Sequence, residues 1–220
     1  MMRTLNRRGV AVVAVCGLLA AGCLVKEERH TWYLDPTSGG VTWTVFELDV
    51  RSDAKEPADR IDEESKFWSA VRAETHGTAL GFRALGASSV RTRILHDEVP
   101  FSLVTEAAMP PIDELGRRLI AGFGGIGTSV LERDGDARIW TLTARCPKDG
   151  EPEPEPTEGV DGLSGLFETL RVVLPRGRFE SAVGFDLDSD HRVAVIDKSS
   201  FDGVDEGTDI VLRLRWVTEP

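Results

Sequence analysis

The stretch from Val10 to Ala21 holds only apolar and small residues, follows Arg3, Arg7 and Arg8, and closes on Ala20, Ala21 and Gly22. It decides how much of the chain can fold. At about 12 residues it falls short of the ~20 that a membrane-spanning helix requires, and its basic start and small-residue finish are those of an export signal. Residues 1–22 are therefore expected to leave, and the folded body is built from the residues after them. A chain that is 41% hydrophobic and 29% charged suits a packed globular body rather than a disordered or collagen-like one. Its net charge of −11 and pI near 4.9 argue against binding nucleic acid through phosphates, which needs a basic face, and give the body no attraction to anionic lipid.

Leu19, Ala20, Ala21, Gly22 and Cys23 together resemble the lipobox of bacterial lipoproteins, in which a small residue precedes a cysteine that is lipidated before cleavage on its amino side. Ala20 departs from the Leu most often found there. The resemblance covers the first 23 residues and implies that Cys23 carries acyl chains of the palmitate kind. At about 0.8 kcal/mol per buried CH₂, two or three such chains hold a protein stably where one does not. Loss of Arg3, Arg7 and Arg8, with no acidic residue, moves the charge from −11 to −14. The family tends to retain at the inner membrane those members with Asp after the cysteine. Leu24 stands there, so in a host with two membranes the resemblance implies the outer one, facing the periplasm. An ordinary secretory signal that leaves Cys23 as a thiol is the alternative. Of the 3 cysteines, Cys16 leaves with the signal and Cys146 has no partner, so no internal disulfide is expected and Cys146 is read as a buried or half-buried structural thiol.

The mature chain divides into a lipidated tether at 23–30, charged from Lys26 to His30, and a single α+β domain over 31–220. Thr31 to Leu34 and Val41 to Val50 read as strands around a turn at Asp35 to Gly40, with Val41, Trp43 and Val45 on one face and Thr44, Phe46, Leu48 and Val50 on the other. Between Ser52 and Glu74 the period becomes helical, with Ile61, Trp68 and Val71 on one stripe beside Phe67. A short helix follows around Thr78 to Leu85, closed by Gly86. Strands at Val90 to Leu95 and Phe101 to Ala107 come next, then a helix opened by Pro110 or Pro111 with Ile112, Leu115 and Leu119 on one face. Val130 to Glu132 and Arg138 to Thr143 form a hairpin turned at Asp134 and Gly135. An acidic Pro-rich loop spans 148–162, read as an extended, solvated insertion. Strands at Glu168 to Leu174, Phe179 to Leu187, Val193 to Ile196 and Ile210 to Val217 complete a mostly antiparallel β-sheet with two or three helices packed on one face.

That order of elements, carried by Trp32 to Val50 and the Leu174, Pro175 pair, resembles the mycobacterial LppM family of lipoproteins. The resemblance implies an envelope domain associated with lipid binding and brings no catalytic residues. The remaining motifs read as structure. Gly122, Gly124, Gly125 and Gly127 follow a helix instead of opening one, so they do not cradle a phosphate. Asp186, Asp188 and Asp190 have the spacing of the first ligands in a calcium loop, but His191 stands where the sharp turn wants Gly, and a plain turn is expected there with a cation cluster as the lesser reading. Asp202, Asp205, Glu206 and Asp209 add acidic residues nearby, and His96, Asp97 and Glu98 read as a solvated turn. His30, His76, His96 and His191 lack zinc-site spacing, and no nucleophile elbow occurs. No catalytic residue, metal or cofactor is assigned. The chain reads as an exported, lipid-anchored envelope protein of non-enzymatic structural or interaction type, held to the membrane through Cys23 and docking other envelope proteins. The alternative is a carrier whose Trp and Phe residues line a groove for a lipid or small apolar ligand.

Overall fold

Alternation of Trp, Val and Leu with Thr builds the first hairpin of the computed structural model, which describes residues 24–148, 150–152, 154–163, 165–201 and 207–218. Strands β1 (Leu24–Leu34) and β2 (Gly40–Ser52) pair antiparallel, and the Asp35 carboxylate accepts the amides of Thr37 and Ser38 to fix the turn between them. Residues 1–23, and with them the export signal and Cys23, lie outside the described residues. Residues 24–30 are not a tether. They continue β1, because Lys26, Glu28 and His30 alternate inward on the same face as Trp32 and Leu34.

Helix α1 (Pro57–Arg72) follows, with Pro at its start, and then α2 (Gly77–Ala84), whose end turns at Gly86 with φ +83°. Strands β3 (Ser89–His96) and β4 (Phe101–Pro111) extend the first sheet, and α3 (Ile112–Gly122) leaves it with Ile112, Leu115 and Leu119 buried as the 3.6-residue spacing predicts. A second hairpin, β5 (Ile126–Asp134) and β6 (Ala137–Arg145), starts a separate sheet. After the acidic loop come a short turn of helix at Val160–Leu163, α4 (Leu166–Thr169), β7 (Arg171–Val173), β8 (Arg178–Val183), β9 (Phe185–Leu187), β10 (Val193–Ile196), another short helical turn at Lys198–Phe201, and β11 (Ile210–Val217).

The α+β class with mostly antiparallel strands is borne out, but the strands divide into two sheets. Seven run in the order β3-β4-β2-β1-β7-β10-β9 and four in the order β5-β6-β11-β8, with β1 and β7 the parallel pair. The segment expected as one strand from Phe179 to Leu187 breaks at Gly184, φ +75°, so that β8 joins the second sheet and β9 the first. The segment expected as a strand from Glu168 opens instead as α4. The sheets face each other through Trp32 and Trp140, whose rings meet edge-on at 6.1 Å, and Trp216 donates its indole N–H to the Pro36 carbonyl. The acidic loop is partly docked, since Val160 and Leu163 are buried in the main core.

Two local departures have clear causes. Asp49, φ +54°, is an extra residue in β2 opposite both of its neighbours, so Val50 crosses from the face of Phe46 to that of Trp43. Val50 then joins Phe101, Leu103 and Val71 in a small second core under α1, with Phe67 and Trp68 against it. Ile61 stays out of that core at 69% exposure, since the apolar contacts of α1 come from its later turns.

Candidate functional site

Along the inward face of β1 and β2 the side chains change character in mid-strand. Leu34, Trp32, Val41 and Trp43 are apolar, whereas Lys26, Glu28, His30 and Glu47 carry polar groups, and the His30 amide donates to Thr169 Oγ1 at the end of α4. Glu28 and Glu47 sit directly opposite each other in the β1–β2 register, a pairing of like charges that would repel if left alone. Lys26 resolves it. Its ammonium lies 2.6 Å from Glu28 Oε1 and 2.6 Å from Glu47 Oε1.

Histidines extend the network at both ends. Trp43 Nε1, which can only donate, lies 3.2 Å from His30 Nδ1, so His30 carries its proton on Nε2, 3.5 Å from Glu28 Oε2. His76, just before α2, lies with Nε2 3.1 Å from Thr105 Oγ1 and 3.5 Å from Glu47 Oε2, and Thr105 Oγ1 is 3.2 Å from Thr92 Oγ1. His30, His76, Glu47 and Thr105 are all buried, and the Lys26 side chain, 25% exposed, is the part nearest water.

Burial and charge compete at Glu28, Lys26 and His76. Burial pushes the Glu28 carboxyl up, but the His30 hydrogen bond and the Lys26 ammonium outweigh it and hold the group at about 2. Burial likewise opposes the Lys26 charge, and Glu47 with Glu28 outweigh it, leaving the ammonium above its ordinary value. At His76 burial wins over Glu47, and the imidazole is held below 6.5. Thr105, His76 and Glu47 have the residue types of a nucleophile, base and carboxylate set but not its geometry. Thr105 and Glu47 both approach Nε2, and Nδ1 has no partner, so nothing orients the ring for proton transfer from the hydroxyl. What the arrangement does is lock register, since only one pairing of β1 with β2 brings Lys26 between two carboxylates.

Sequence reasoning set His30 and His76 aside for lacking zinc-site spacing and read Lys26 to His30 as a tether, although the spacing Lys26, Glu28, His30, Trp32 holds the signal. The residues that were singled out lie elsewhere. Cys23, Asp202, Asp205 and Glu206 are outside the described residues. Asp186 is in β9, Asp188 accepts the amides of Arg192 and Val193 within the β9–β10 turn, and His191 adopts φ +55° there in place of a glycine. Among the described residues no three His, Cys, Asp or Glu side chains converge on a common cation position. His96 Nδ1 lies 2.9 Å from the Glu98 carbonyl in the exposed β3–β4 turn. Cys146 is exposed, which corrects the expectation of a buried thiol: β6 ends at Arg145, one residue short of it. The outward face of the first sheet carries a hollow of about 420 Å³ lined by Tyr33, Phe46, Arg91, Arg93 and Glu106. Among the described residues no helix is long and apolar enough to cross a membrane.

No known protein family matches the chain, and no curated protein does so. Among solved structures it is similar to the folded domain of LppM from Mycobacterium tuberculosis, at 12% identity over 93% of this chain and 96% of that one, with a TM-score of 0.37. It is also similar to the Danio rerio Fcho1 Mu homology domain with bound Eps15 peptide, at 8% identity over 90% and 79% of the two chains, with a TM-score of 0.22. Both likenesses are too loose to carry residues or roles across.

Proposed function

We propose that this chain is an exported protein, anchored to the membrane by lipid on Cys23, which presents a rigid non-enzymatic domain to other proteins of the cell envelope. One observation carries the reading: Leu24, the residue after the cysteine marked by the lipobox resemblance, is already paired in the sheet, opposite Ser52. A cut before Cys23 leaves β1 whole from Leu24 onward, whereas a cut a few residues later would remove Lys26 or Glu28 from the buried network. In a host with two membranes, Leu24 after the cysteine favours the outer membrane, on its periplasmic side. The carrier alternative has less support. The space between the two sheets, where an apolar ligand would lie, is taken by Trp32, Trp43, Trp140 and Phe82, each buried completely or nearly so. The hollow on the outward face mixes Tyr33, Phe46 and Val104 with Arg91, Arg93 and Glu106, so it is not an apolar groove.

Mass spectrometry on protein extracted from its own membranes tests the reading. The expected result is a chain starting at Cys23 with acyl chains attached and no lipid released from the interior on denaturation. An unacylated Cys23 removes the anchor and the reading with it, and stoichiometric release of a lipid from the folded body would favour the carrier.

A further inference from the structure

Four strands of the first sheet finish at one end. Leu24 at the start of β1 is opposite Ser52 at the end of β2, Val50 is opposite Phe101 at the start of β4, and Ser102 is opposite His96 at the end of β3. The β3–β4 turn therefore lies at the same end as Leu24, displaced sideways by three strands, or about 14 Å. Ser52 also holds the middle of α1 there, its amide donating to Glu64 and its hydroxyl to Glu63. Of the twelve large apolar residues left exposed among the described residues, five belong to these segments: Val25, Ile61, Ile94, Leu95 and Val99. Three of them, at 44%, 50% and 48% exposure, flank a single hairpin tip. Such clustering marks a contact surface rather than scattered surface residues.

We propose that this end of the sheet rests on the bilayer, with Leu95 and Val99 seated among the lipid headgroups. Its premise is the acylated Cys23 of the proposed anchor. Consecutive Cα atoms are about 3.8 Å apart, so a lipid on Cys23 leaves no slack between the membrane surface and the first paired residue. The partner is the membrane because the anchor brings it there: the same short link that fixes Leu24 at the surface carries the hairpin tip to within about 15 Å of it. Charge does not hold the surfaces together, since the mature body is strongly acidic and Asp97 and Glu98 sit between Leu95 and Val99. Those two carboxylates set the depth, admitting the flanking apolar groups to the interface and keeping the tip out of the hydrocarbon.

The full chain carrying Cys146→Ser, purified in acylated form, is labelled with an environment-sensitive fluorophore through Val99→Cys or, separately, Thr37→Cys, and placed in phosphatidylcholine vesicles. The sulfur of acylated Cys23 is blocked, so labelling is confined to the new thiol. Thr37 is exposed in the β1–β2 turn at the opposite end of the same strands. The expected result is a blue shift at Val99, with emission lost to nitroxide-bearing lipids, and neither effect at Thr37. Equal, water-like emission at both positions on an acylated chain overturns the proposal and leaves the anchor standing. A blue shift at Val99 without quenching by the nitroxide lipids also overturns it, because a second protein rather than lipid then covers the tip. An intact mass showing Cys23 unacylated overturns both.

Discussion

The inward face of the β1–β2 hairpin is held in two different ways along its length. Toward the turn, Trp32 and Trp43 meet edge-on at 5.4 Å and Phe82 closes on Trp43 at 5.0 Å, so apolar area and ring geometry do the binding. Toward Leu24, the same two strands carry two carboxylates, an ammonium and one imidazole, and His76 adds a second imidazole from just before α2. Apolar contacts in the first half tolerate small shifts in partner, and the charged half does not, because a buried charge that loses its partner costs more than the pair contributes. Stability thus resides mainly in the tryptophan half, and register mainly in the charged half. Trp43 joins them through its N–H to His30.

Trp43→Ala should have the largest effect. It opens a cavity between Trp32 and Phe82 and leaves His30 Nδ1 without a donor, so a loss of about 4 kcal/mol in urea-derived stability is expected, with the upper range for a buried Trp as the guide. A loss below about 1 kcal/mol would mean that the tryptophan half is not where stability resides.

Glu47→Gln comes next, at about 3 kcal/mol, because Lys26 and His76 then face a neutral amide inside the protein. Lys26→Met combined with Glu28→Gln and Glu47→Leu removes all three charges and should recover much of that loss. If the two halves differ in this way, the triple variant is nearly as stable as the parent yet shows poorer order in β1, read as faster amide exchange from Val25 to His30. Full stability with unchanged exchange would take the register role away from the charged half.

The tryptophan half was legible in the sequence and the charged half was not. Trp32, Leu34, Val41 and Trp43 alternate with threonine and tyrosine, which is enough to assign strands and faces, just as Ile112, Leu115 and Leu119 assign α3. Lys26, Glu28 and His30 alternate as well, but the period of a strand is normally carried by apolar residues, and a charged run beside a lipidation site reads as a tether. Their burial depends on Glu47, 21 residues from Lys26, and on Thr105, neither of which is local information. The bulge at Asp49 was hidden for a similar reason: an aspartate at φ +54° is uncommon, and nothing beside it announces an extra residue. The division into two sheets turns on Gly184, one of 22 glycines.

Along the inward face of the hairpin, acid should act on the charged half. Glu28 titrates at about 2 in the folded chain against an ordinary 4.5, so its stabilisation is complete above pH 4.5 and is lost as the pH falls toward 2, for a total of roughly 3 kcal/mol at 1.36 kcal/mol per pH unit. His76 has the same sign in a higher window. Its folded value is below 6.5, so the unfolded chain takes the proton first and stability declines as the pH falls below 6.5. Thermal melts from pH 8 to 2 should therefore show a decline in two stages. His76→Gln is expected to flatten the upper stage and Glu28→Gln the lower, while Trp43→Ala lowers the whole curve without changing its shape above pH 6.5. A single-stage curve unaffected by either variant would detach both groups from stability.

The smallest effect belongs to a charged site outside the inward face. Arg215 lies 2.7 Å from Glu180 and 2.6 Å from Asp134, tying β11 to β8 and to the end of β5 across the second sheet. On contact distances alone this rivals the Lys26 network, with one cation between two carboxylates at comparable range. The difference is water: Asp134 is 63% exposed, against 1% for the Glu47 side chain, so solvent screens the attraction and offers each partner a substitute when the other is removed. Arg215→Ala should accordingly lower the urea midpoint less than any variant above, and the difference from the parent should vanish at about 1 M salt, where the Debye length is about 3 Å. The Glu47→Gln deficit, at a side chain buried from solvent, should persist in the same salt. Equal salt sensitivity of the two would mean that the inward network is wet, and that its charges contribute no more to register than those on the surface.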